Sequence, residues 1–141
     1  MHIFKIFTLS VAFSLITLST AFGASNAKEL NDYTDIQTLL AKDTFPGVSS
    51  AAQKLSSDAK ENHHAALAKV ASQLAQAKDL KEARLQFEAV SKEALPLAKA
   101  DKTKAFEVVY CPMKKARWVQ KSGPIANPYY GNEMLECGVK E

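Results

Sequence analysis

Residues 79–97 read DLKEARLQFEAVSKEALPL. Asp79, followed three positions on by Glu82, makes a capping-box pattern with aspartate in place of the usual serine or threonine. From there Leu80, Ala83, Phe87, Val90, Ala94 and Leu97 recur at three- and four-residue spacing, which puts them on one face of a helix. Pro96 is expected to kink or end that helix, because its ring clashes with the carbonyl four residues back. A helix with one apolar stripe must bury it against other elements, so the segments around it set the fold class.

Upstream, the same period recurs. Asn31 or Asp32 can cap a helix carrying Tyr33, Ile36, Leu39 and Leu40 that ends near Asp43. Thr44 is the next candidate cap, with Pro46 in the first turn, where a missing N–H costs nothing. Val48, Ala51, Ala52, Leu55 and Ala59 follow as its buried stripe. A third helix is expected from Asn62 to Ala77, with His63, Leu67, Val70, Leu74 and Ala77 inward. Downstream, residues 99–104 form a polar break. Phe106, Val108 and Tyr110 then alternate with Glu107 and Val109 as in a strand, and residues 117–120 offer a second short strand before the Ser122-Gly123-Pro124 turn. The fold predicted is mostly α: an up-and-down bundle of about four helices, with a small irregular or β C-terminal module over 106–138.

The chain has 141 residues. A short basic start, an uncharged apolar run over 6–22 and the small residues of Ala21-Phe22-Gly23 read as a secretory signal peptide over 1–23, with cleavage possible as late as Ala27. No cysteine adjoins either cleavage point, which excludes a lipoprotein anchor. Residues 24–141 suffice for one domain with one core. After cleavage no membrane-spanning segment is expected, and export from the cytoplasm is. The net charge of +3 is small and the lysines are scattered among acids, so no nucleic-acid surface is predicted. No nucleophile elbow, phosphate loop, zinc-protease motif or C-x-x-C pair occurs, so no enzyme is predicted.

The chemistry is concentrated in residues 110–138, YCPMKKARWVQKSGPIANPYYGNEMLECG. This stretch holds both cysteines, the single tryptophan and two of the three methionines. Sulfur stands at both ends, as Cys111-x-Met113 and Met134-x-x-Cys137. Thiolate and thioether ligands select Cu(I) over oxygen-loving ions, and Ag(I) by extension. The four sulfurs are therefore the candidate metal ligands. The competing reading is a Cys111–Cys137 disulfide, the default for two cysteines in an exported chain, with the methionines as core filler. His63 and His64 are weaker ligand candidates, since adjacent helical residues point about 100° apart. Trp118, Tyr129 and Tyr130 supply apolar area to a segment poor in aliphatic residues and are the candidate face for a protein partner.

The run CPM, W-x-Q, I-x-NPYYG and ML-x-CG resembles an uncharacterised bacterial periplasmic domain family. Its members occur alone or at the C-terminal end of adaptor subunits of copper and silver efflux systems. The resemblance implies a periplasmic setting, a link to metal handling, copper as the ion and a heavy-metal efflux complex as a partner. The opening YCPM also looks like the start of short heavy-metal-binding domains in those systems. It departs from them in lacking a following histidine and a second cysteine pair.

Overall fold

The computed structural model describes residues 19–141, with side chains from Asn26 onward. Of the signal peptide expected over 1–23, residues 1–18 lie outside the described residues. Both candidate cleavage points fall inside the first helix, upstream of the fully buried Glu29 and Leu30. Four helices come first: α1 Ser19–Ala41, α2 Val48–Glu61, α3 Ala65–Leu74 and α4 Leu80–Ala100. Three strands follow, β1 Phe106–Cys111, β2 Ala116–Lys121 and β3 Val139–Lys140, with a turn of 3-10 helix at Gly131–Glu133. The strands form one antiparallel sheet in the order β2-β1-β3. β2 lies against α4 and α1, so the bundle and the tail share one core. Among the described residues no helix is long and apolar enough to cross a membrane.

The helix expected from Asp79 is present. Asp79 Oδ1 accepts the N–H of Glu82 at 2.7 Å, and Glu82 reaches back to the N–H of Lys78 at 3.0 Å. Ala83, Phe87, Val90, Ala94 and Leu97 are all buried. Pro96 does not end it. The helix runs to Ala100, because Pro96 and Lys92 lie on the exposed face, where water can serve the carbonyl left without its helical donor.

Other boundaries differ from expectation for one recurrent reason. α1 and α2 both close with a left-handed residue and paired bonds back into the last turn. At α1 this residue is Asp43 (φ 53), with Asp43 N–H bonded to Leu40 O and Thr44 N–H to Leu39 O. At α2 it is His63 (φ 63), with His63 N–H bonded to Lys60 O and His64 N–H to Ala59 O. Thr44 therefore ends a helix rather than starting one, and α2 begins after Gly47 (φ 95), beyond Pro46. His63 is exposed in the turn instead of lying on the apolar stripe of α3, which His64 precedes. Ala68 and Ala71 fill the stripe, with Val70 only half-buried. Asn31 and Asp32 lie well inside α1, and Asn31 Nδ2 donates to Ala27 O. On β1 Val109 and Cys111 are buried, while Phe106, Val108 and Tyr110 are half-buried.

Two internal features join the parts. An aromatic cluster runs Tyr33–Phe87–Tyr129–Trp118, with centroid spacings of 5.0, 6.1 and 6.1 Å. Tyr33 Oη shares a hydrogen bond with Ser91 Oγ and accepts the N–H of Val119, so a bundle hydroxyl serves the sheet backbone. Between α1 and α2 runs a polar seam. Fully buried Glu29 accepts bonds from His64 and Asn62, while buried Asp32 and Asp58 lie together with Lys54 and Lys28 as partners. Burial, then the neighbouring Asp58, raises the Asp32 carboxyl above the ordinary range.

Candidate functional site

β1 delivers Cys111 to the lip of the sheet, where the side chain is fully buried. Proline at 112 has no N–H, so the turn Pro112–Met113–Lys114–Lys115 offers its first donors from Met113 and Lys114. Lys114 N–H points at Cys111 Sγ at 3.4 Å, and Met113 N–H serves Cys137. Lys115 (φ 57) closes the turn by donating to Cys111 O at 2.8 Å.

β3, absent from the sequence reading, delivers the second sulfur. Its antiparallel register pairs Val109 with Lys140 and Tyr110 with Val139, which carries Cys137 back to the end of β1. The two Sγ atoms stand 3.8 Å apart with free cysteines at both positions. Half-buried Cys137 has its thiol pushed up by desolvation and by the Cys111 sulfur, against the Met113 N–H. The upward shift favours the protonated form of Cys137, so a metal ion binding its sulfur must displace that proton.

The separation tests whether a metal ion fits. Two sulfur ligands with bonds of about 2.3 Å, as in zinc thiolates, span 3.8 Å at an S–metal–S angle of roughly 110°. A linear two-sulfur site would hold its sulfurs about 4.6 Å apart. The spacing therefore suits a three- or four-coordinate ion, with coordination left over for thioethers. Met113, in the same turn, is 64% exposed, and Met134 is half-buried and outside the core. Neither is core filler. Among the described residues no group of three or more His, Cys, Asp or Glu side chains is placed to hold a metal ion.

The other expected site residues are elsewhere. His63 and His64 line a separate cavity with Glu93, Pro96 and Leu97, and His64 Nδ1 is held by Glu29 at 2.6 Å. Trp118 and Tyr129 are buried and cannot form a docking face. Their rings occupy the interior because the tail has few aliphatic residues with which to build a core. Only Tyr130 of the three reaches the surface.

Compared with family models, curated proteins and solved structures, the chain matches none.

What the sequence reading missed is how the module holds Cys137. Buried Gln120 accepts from Trp118 Nε1 and Ala126 N–H and donates to Pro124 O, which fixes the W-x-Q pair to the following loop. Fully buried Asn127 donates to Cys137 O at 2.7 Å, accepts the N–H of Tyr129, and bonds Leu135 O through its own N–H. At Gly138 a Cβ would lie 2.7 Å from both the Trp118 ring and Val109, so only glycine lets the tail cross there. Arg84 donates to Leu40 O and Pro128 O and pairs with Asp43, which in turn accepts the N–H of Asn132. The signal for these roles was available in the sequence as amides between turn residues, which compete for backbone groups.

Proposed function

We propose that this is an exported, periplasmic protein that binds a soft monovalent metal ion, Cu(I) or Ag(I), through Cys111 and Cys137, in metal efflux or resistance. The observation that carries the reading is the sulfur pair at 3.8 Å, Cys111 buried and Cys137 half-buried, beside a backbone donor. Met113 and Met134 complete the donor set, since thioethers need no deprotonation and match the softness of the ion. The N–H groups of Met113 and Lys114 stabilise thiolate charge on the two sulfurs. The likeness of CPM, W-x-Q, NPYYG and ML-x-CG to a periplasmic family associated with copper and silver efflux supports the setting and the cargo.

The test is a titration of the reduced protein with Cu(I) against a competing chelator. The comparison is between wild type and the double variant Met113→Ala, Met134→Ala. The expected result is tight binding by wild type and at least about tenfold weaker binding by the variant, with an unchanged fold. Equal affinities would remove the methionines from the site. No binding by either protein would overturn the metal reading.

The same pair supports a second reading, a disulfide-stapled interaction module without metal. The burial of Cys111 in the apolar core favours it, since inert structural thiols occupy such positions. Formation of the bond releases two protons and two electrons to a thiol–disulfide exchange partner. A free-thiol count on protein taken directly from the periplasm separates the two readings.

A further inference from the structure

We propose that the groove between α4 and the β1–β2 turn docks an acidic amphipathic segment of a partner protein. Two cavities of about 460 and 490 Å³ meet at Leu85, one running toward Leu95 and the other toward Leu80 and Tyr130. Together they follow α4 from Leu80 to Leu95, a length of about 22 Å at 1.5 Å per residue. The floor is apolar: Leu85 is 59% exposed, and Leu80, Leu95 and Tyr130 are half-buried. An exposed leucine in a concave strip is a feature that association would cover.

The rim is cationic. Arg84, Lys114 and Arg117 line the groove but are engaged by Asp43, Glu88 and Glu141. Lys81, Lys92 and Lys115 line it too, and among the described residues they have no ion-pair partner. Glu88, the one acid of the lining, is already paired with Lys114. Three uncompensated ammonium groups around an apolar floor complement a segment with carboxylates flanking leucine-like side chains. A flat anionic membrane fits less well, because the apolar strip is recessed between a helix and a turn. Lys114 and Lys115 share their turn with Met113, so the occupant would pass beside the exposed thioether. The proposal does not depend on metal binding.

The probe is a synthetic fifteen-residue helical peptide with leucines at i, i+3, i+4 and i+7 and glutamates elsewhere. Binding to the full protein is followed by fluorescence anisotropy at low and high salt. Its lysine-for-glutamate counterpart and phosphatidylglycerol vesicles serve as comparisons. The glutamate peptide should bind and the lysine peptide should not. The triple variant Lys81→Glu, Lys92→Glu, Lys115→Glu should weaken binding by about tenfold or more. Leu85→Ser should also weaken it by about tenfold. Lys60→Glu with Lys69→Glu, on α2 and α3 away from the groove, should leave it unchanged. Indifference to the triple variant, indifference to Leu85→Ser, or vesicles binding while the peptide does not, would each overturn the proposal.

Discussion

Gly131→Ala should detach the tail from the bundle and disperse the sulfur pair. Gly131 sits at φ 58, a left-handed conformation costing an alanine about 1–2 kcal/mol. A Cβ built there also collides with the Asp43 carboxylate and the Arg84 guanidinium. Asp43 is the acceptor that joins α4, through Arg84, to the tail, through Asn132 N–H, and Arg84 holds its carboxyl below the usual range. Displacing Asp43 weakens one charge-assisted pair and one backbone bond, worth about 1–2 kcal/mol after discounting for partial exposure. The total expected loss is about 2–4 kcal/mol. The assay is urea unfolding followed by Trp118 fluorescence, since that ring is buried against Tyr129. A cycle with Asp43→Ala isolates the Asp43 collision: in that background Gly131→Ala should cost only its conformational share and the contact with Arg84, less than in the wild-type background. Because Met134 and Cys137 follow directly in the chain, the variant should also slow Cys111–Cys137 disulfide formation under a glutathione redox buffer. A loss below about 0.5 kcal/mol, or additive single costs in the cycle, would refute the reasoning.

Oxidation of the Cys111–Cys137 pair closes a sequence separation of 26 residues. On the chain-entropy model this should stabilise by about 3.5 kcal/mol, read as a higher denaturation midpoint for the oxidised protein. His64→Ala leaves the fully buried Glu29 carboxylate with Asn62 as its remaining partner, and thermal unfolding should show a loss of about 2–3 kcal/mol. Burial raises Asp32 in the folded state, so its contribution favours folding below its ordinary pKa of 3.8 and is lost as pH rises through the folded value. Asp32→Asn imitates the protonated form; its stability near pH 7 should match or exceed wild type, with a flatter profile from pH 4 upward. A loss above about 2 kcal/mol at pH 7 would show instead that the Lys54 pair outweighs desolvation.

Where the hydrophobic period was long and opened by a strong cap, as in α4, the sequence was enough to place the helix. Where one helix ended and another began it was not. Asp43 and His63 take a conformation that non-glycine residues adopt only occasionally, and what selects it is pairing of backbone groups across the turn. That choice moved Thr44 from cap to terminator and His63 from core to surface. Periodicity also misjudged the α1–α2 interface. Its buried Glu29 and Asp58 are of types that read as solvated, Asp32 reads as a cap, and their partners Lys54, Asn62 and His64 are far away in sequence.

The tail shows why residue type and role separate in a small module. Aromatic residues in a loop-rich segment are equally suited to a docking face and to an interior. The difference lies in Gln120 and Asn127, whose amides replace the backbone pairing that a larger sheet would supply. With those amides satisfied, Trp118 and Tyr129 turn inward and Gly138 crosses over the indole. The chain can then return as β3 beside β1, which sets Cys137 against Cys111. The polar residues between the sulfurs thus position the pair, acting through backbone groups such as Cys137 O. A change such as Asn127→Ala should reach the pair through Cys137 O, separating the sulfurs without altering either cysteine.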